Sequence, residues 1–149
     1  MEAECKKEAA MQALYTATAT AIGGRSGSVR SSDSVLDLHL AYPKELGGPG
    51  GAATNPEQLF AAGYAACFEN ALLRVARERK APIRESSVTA HVTIGRNEKG
   101  FFELAVKLEI SVPDRDKGEI EEFVRIAHEE VCPYSRATRG NIEVDLKVE

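Results

Sequence analysis

The chain is 149 residues long, 43% hydrophobic and 28% charged, with a formal net charge of −4. That length supports one domain that buries about two-thirds of its unfolded surface, and the composition is that of an ordinary soluble globular protein. The acidic balance argues against nucleic acid as a partner, since phosphate neutralisation needs clustered Lys and Arg, and no run approaches the ~18 apolar residues of a membrane span.

Residues 1–12, MEAECKKEAAMQ, read as an N-terminal extension of helical character, ahead of a single domain over 13–149. The extension has neither the apolar core of a secretory signal nor an Arg-rich transit pattern, so the expected location is cytoplasmic. LYTATATA (14–21) alternates and is Thr-rich, which suits a strand. GGRSGS turns the chain into a short strand, and SSDS turns it again into VLDLHL (35–40). There Val35, Asp37 and His39 face one way and Leu36, Leu38 and Leu40 the other. These three strands form a β-meander, followed by a loop with four glycines in residues 47–51.

Asn55-Pro56 starts a helix: Asn caps, Pro takes the first helical position, and Gln58 falls where a capping box wants it. The helix runs to Lys80 and turns charged after Leu73. From Leu59 to Phe68 it has no charged residue at all, and a helix without a polar face is a buried one. Two alternating strands follow. Val88, Ala90, Val92 and Ile94 share one face of the first; Phe102, Leu104, Val106, Leu108, Ile110 and Val112 share one face of the second, which Pro113 ends. Ile120, Phe123, Val124, Ala127 and Val131 recur at helical spacing, and IEVDLKV alternates as a last strand. The order βββ-α-ββ-α-β predicts an α+β fold, an antiparallel sheet wrapped around a long buried central helix.

The three cysteines, Cys5, Cys67 and Cys132, are odd in number and show no CxxC spacing. In a reducing compartment this disfavours a disulfide framework or a metal site. Inert core thiols or a reactive pair remain, and a spacing of 65 residues does not choose between them. A mid-helix cysteine such as Cys67 is ordinarily core filler, because apolar surroundings raise the thiol pKa; reactivity there requires a cation delivered from elsewhere. Cys132 precedes Pro133, where a helix must stop. It reads equally as a mobile resolving thiol or as core. His128 lies one helical turn before Cys132, which allows a Cys–His pair, although a histidine at a core edge is more often structural. Arg25, in a turn, and Glu57, an acidic residue at a helix N-terminus, are unexceptional by themselves; Arg136 and Arg139 read as an anion site or, more readily, as surface charge, and Cys5 is incidental.

LYTATATAIGGRSG, VLDLHLAYPKELGGPGGAATNPEQLFAAGYAACF and VCPYSRATRGNIEVDL together resemble the organic hydroperoxide resistance (Ohr) branch of the OsmC/Ohr family. The resemblance extends from about Leu14 to Val148. It implies a thiol peroxidase that reduces organic and lipid hydroperoxides, with Cys67 as peroxidatic and Cys132 as resolving cysteine. It further implies that Arg25 activates the thiolate and Glu57 holds that arginine. The implied assembly is an intertwined homodimer using no metal or other cofactor, recycled by dihydrolipoamide or a lipoylated protein. Leu59, Phe60, Tyr64 and Phe68 would give hydrophobic peroxides an apolar approach.

One geometric consequence follows. Glu57 and Cys67 are ten residues apart, so a continuous helix separates them by ~15 Å along its axis. On one chain only a kink near Gly63 or a long reach would join them, and the expectation is a site at the subunit interface that combines residues of two chains. Glu69-Asn70 after ACF and Arg136 after CPYS depart from the usual pattern and leave substrate and donor preference open. The alternative function is a non-enzymatic redox sensor or binding protein on the same fold.

Overall fold

A computed structural model describes residues 11–149. Most of the expected N-terminal extension, with Cys5, lies outside the described residues. These divide into two compact units at the Asn55–Pro56 junction.

The first unit is a three-stranded antiparallel meander of β1 (Ala19–Ile22), β2 (Ser28–Ser31) and β3 (Asp37–His39). β1 is shorter than the alternating run 14–21 predicts. Its four residues pair with all four of β2, from Ala19 opposite Ser31 to Ile22 opposite Ser28. Past Ser31 the chain leaving β2 turns away, so within this chain Leu14 to Ala17 have no ladder to join. That turn is held by Asp33, whose carboxylate accepts from the Ser31 hydroxyl at 2.6 Å and the Val35 N–H at 3.1 Å. Arg25 sits in a single 3-10 turn, Gly24–Ser26, between β1 and β2. The turn closes so tightly that a Cβ on Gly27 would lie 1.7 Å from the Ile22 carbonyl oxygen, which no side chain tolerates. Beyond β3, Leu40 bridges to Thr54 and closes the Gly-rich loop.

The second unit contains α1 (Pro56–Glu78), β4 (Ser87–Arg96), β5 (Phe102–Ser111), α2 (Lys117–Ile126), α3 (Pro133–Thr138) and β6 (Glu143–Val148). β4 and β5 pair over ten residues, with Val88 opposite Ile110, Ala90 opposite Leu108 and Val92 opposite Val106, so the two predicted apolar faces coincide. β6 adds to the far side of β5 in parallel. The second sheet is therefore mixed, where the strand pattern led to an antiparallel one. The reason is the intervening α2 and α3, which supply the long crossover that parallel neighbours require.

The core lies between α1 and this sheet. Phe68, Ala71, Leu72, Val75 and Ala76 of α1 meet Val106, Leu108 and Ile110 of β5 and Ile120, Phe123 and Val124 of α2. α2 begins at Asp116, whose carboxylate accepts from the Glu119 N–H at 3.1 Å. Its end is unusual. Ala127–Val131 form a π-helical turn, closed by the Cys132 N–H on the Ala127 carbonyl at 2.8 Å. Among the described residues no helix is long and apolar enough to cross a membrane.

Candidate functional site

Cys67 lies midway along α1 and is half-buried; Cys132 is buried, in the break between the π turn and α3. Cys132 belongs to neither helix, with φ −70° and ψ 116°. Its N–H closes the π turn behind it, and its carbonyl accepts from the Arg136 N–H at 3.0 Å in the helix ahead. Pro133 suits this break, because the first residue of a helix needs no N–H donor. The backbone is therefore pinned on both sides of Cys132. Its thiol points at Cys67, with the two sulfurs 3.8 Å apart and both cysteines free thiols.

Burial is the main influence on the Cys67 thiol and pushes its pKa up. The backbone N–H of Tyr134 acts in the opposite direction, while the neighbouring Cys132 adds to the rise. A thiol so placed is a weak nucleophile until a cation reaches it.

The rings of Phe60 and Tyr64 on α1 and of Tyr134 on α3 form a cluster with centroids 5.8 to 6.5 Å apart. Gly63 makes room for it: a Cβ there would lie 3.0 Å from the Tyr134 hydroxyl oxygen and 3.2 Å from its ring. Beneath the rings is a buried polar group. The Ser135 hydroxyl meets the Tyr64 hydroxyl at 3.0 Å and His128 Nδ1 at 2.8 Å. Thr138 Oγ1 lies 3.2 Å from the Tyr64 hydroxyl and donates to the Ser135 carbonyl at 3.1 Å. Arg139 donates to the His128 carbonyl at 2.5 Å. Burial, then the Arg139 charge, hold the His128 imidazole below the usual histidine range, against a smaller opposite pull from Glu129.

The structure thus brings Cys67 and Cys132 together, which their sequence separation could not reveal. α1 is continuous through Gly63, so Glu57, in its first turn, stays ~15 Å along the axis from Cys67. Arg25 is in the first unit, its guanidinium carbon 6.0 Å from the centroid of the Tyr42 ring. Leu59 and Phe60 are half-buried, whereas Tyr64 and Phe68 are sealed in the core with no exposed surface. His128 turns to Ser135 and not to Cys132, because the π turn and the extended Cys132 break the helical register that would have paired them. Ser135, Thr138 and Tyr134 went unnoticed in the sequence. The one available signal was Tyr64 itself, since a tyrosine on a buried helix face needs a partner for its hydroxyl.

The family of OsmC-like proteins matches residues 48–147. The organic hydroperoxide resistance protein of Xanthomonas axonopodis pv. citri (strain 306) is 55% identical over 134 residues, covering 89% of this chain and 93% of that protein. A crystal structure of an organic hydroperoxide resistance protein from Legionella pneumophila superposes with a TM-score of 0.87 at 50% identity, covering 93% of this chain and 99% of the other. The structure of OhrB from Bacillus subtilis superposes with a TM-score of 0.85 at 46% identity, covering 92% and 100%. With this fold, these motifs and these relatives, the chain belongs to the OsmC/Ohr family.

Proposed function

We propose that the protein is a thiol peroxidase that reduces organic hydroperoxides, alkyl and lipid, to alcohols. The observation that carries this reading is the 3.8 Å approach of two free thiols from opposite ends of the second unit. The Cys67 thiolate attacks the distal peroxide oxygen, the O–O bond breaks, and the alkoxide leaves as the alcohol after taking a proton. The sulfenic acid on Cys67 is then captured by Cys132 as a disulfide, with loss of water. A dithiol of the lipoyl class reopens it in the reducing cytoplasm.

Arg25 supplies the charge that the buried thiol lacks, and it also hydrogen-bonds the departing alkoxide. Glu57 orients that guanidinium in a bidentate pair. Because α1 keeps Glu57 and Cys67 far apart on one helix, the working site takes Arg25 and Glu57 from a second copy of the chain. Exposed apolar side chains of the first unit support such a dimer: Leu14 is 91% exposed, Val35 87% and Ile22 73%. Leu59 and Phe60, half-buried on the helix that carries Cys67, favour alkyl peroxides over strongly hydrated hydrogen peroxide.

The test is turnover of cumene hydroperoxide with dihydrolipoamide by wild type, Cys67→Ser and Cys132→Ser. Wild type turns over, Cys67→Ser is inactive, and Cys132→Ser reacts once and stalls. An inactive wild type rejects the enzyme; activity surviving Cys67→Ser rejects the assignment of the nucleophile.

A further inference from the structure

The reading above gives His128, Ser135 and Tyr64 no part in the chemistry, yet they meet at one buried oxygen. Three segments converge on Ser135 Oγ: α1 through Tyr64, the π turn through His128, and α3 through Ser135 itself. The His128–Ser135 bond joins residues seven positions apart on either side of Cys132, and so it staples the chain reversal on which that cysteine rides. Tyr64 fastens the staple to the helix that bears Cys67, three residues away on the same chain segment. Ser135 has no exposed surface, Thr138 is 3% exposed, and no buried side-chain polar atom among the described residues lacks a partner. The Cys132 thiol meets that of Cys67, and its backbone is held on either side by the Ala127 carbonyl and the Arg136 N–H. Its place is therefore set by what lies on either side of it.

We propose that His128, Ser135 and Tyr64 are a positioning network for disulfide closure, holding the Cys132 sulfur within one short movement of Cys67. The inference rests on the assignment of Cys67 and Cys132 as peroxidatic and resolving cysteines. A disulfide requires the sulfurs to close from 3.8 Å to about 2.0 Å. In that step the S–S bond forms and the S–O bond of the Cys67 sulfenic acid breaks. The hydroxyl leaves as water with the proton from the Cys132 thiol. The competing step is attack of the same sulfenic acid on a second hydroperoxide molecule, which gives the sulfinic acid and a second alcohol. Closure is intramolecular and depends on where Cys132 is held; the second oxidation depends on peroxide concentration. The network governs the ratio of the two outcomes and leaves the first oxidation of Cys67 alone.

The experiment exposes full-length reduced protein to rising cumene hydroperoxide and measures disulfide and Cys67 sulfinic acid by mass spectrometry, with the first oxidation followed by stopped flow. In Ser135→Ala and His128→Ala the peroxide concentration that gives half sulfinic acid falls roughly 3- to 10-fold, the effect of one lost hydrogen bond on a rate. The first-step rate stays at the wild-type value. His128→Asn, whose side-chain amide can take the place of Nδ1, recovers much of the loss. Folded variants with a wild-type ratio overturn the network, as does an equal loss in His128→Asn and His128→Ala. Should Ser135→Ala fail to fold, the paired His128 variants decide the matter. A wild type that forms no disulfide at all overturns the cysteine assignment beneath it, a result distinct from failure of the network.

Discussion

The two units of the chain differ in how they are held together. The second buries almost everything that is buried among the described residues, from Tyr64 and Phe68 on α1 to Val148 on β6, with α1, α2 and the mixed sheet closing on one another. Among its described residues the first buries Leu40 alone and leaves Leu14, Tyr15, Ile22 and Val35 largely in solvent. Its order comes from strand pairing and tight turns, with little hydrophobic content behind it. Small sheets without a covered face are marginal in water. The comparison teaches that the second unit carries the folding free energy and the two thiols. The first presents an exposed apolar surface and carries Arg25, the two features that the proposed shared site would use.

The strongest way to break this comparison is to cut into the second unit. Phe68→Ala removes a fully buried ring and should cost about 3–5 kcal/mol in urea unfolding. A loss under 1 kcal/mol would mean that the core is not where the stability resides. Arg25→Gln tests the division of the chemistry. Burial pushes the Cys67 thiol above its ordinary value of 9.0; on the proposed assignment the Arg25 guanidinium counters that rise, and losing it moves the titration further up. The pH midpoint of Cys67 alkylation should rise by about 1 unit or more, leaving less thiolate at pH 7, and an unchanged midpoint would remove Arg25 from the site. Ile22→Ser should change the unfolding of dilute, dissociated chain by less than about 0.5 kcal/mol. In sedimentation equilibrium the same substitution weakens self-association. If it unfolds the chain as severely as Phe68→Ala does, the two units are not distinct in this sense.

The sheet of the second unit was legible because alternation states directly which residues share a face: Val88, Ala90 and Val92 meet Ile110, Leu108 and Val106 as expected. The start of α1 was legible for a similar reason, since Pro56 after Asn55 is a local signal with a local cause. The direction of β6 was not, because alternation reads the same in parallel and antiparallel strands. The six residues of α3 are too few to show a helical period. Ile120 to Val131 fit an ordinary helix equally well, so the π turn was invisible. The family motifs named Cys67 and Cys132 without saying how they meet. Their meeting depends on a crossover, a π turn and a one-residue break, none of which is written in the cysteines themselves.

That π turn makes position in the chain as consequential as side-chain identity. The i to i−5 closure at Cys132 accommodates one more residue than an ordinary helical turn would. Deleting any single residue from Ala127–Val131 that makes no contact of its own would keep every thiol, hydroxyl and ring described above. It would also swing all that follows by about 100° around the helix axis, aiming the Cys132 sulfur away from its partner. The site is thus protected by a count, and it would fail by a miscount with its chemical inventory complete.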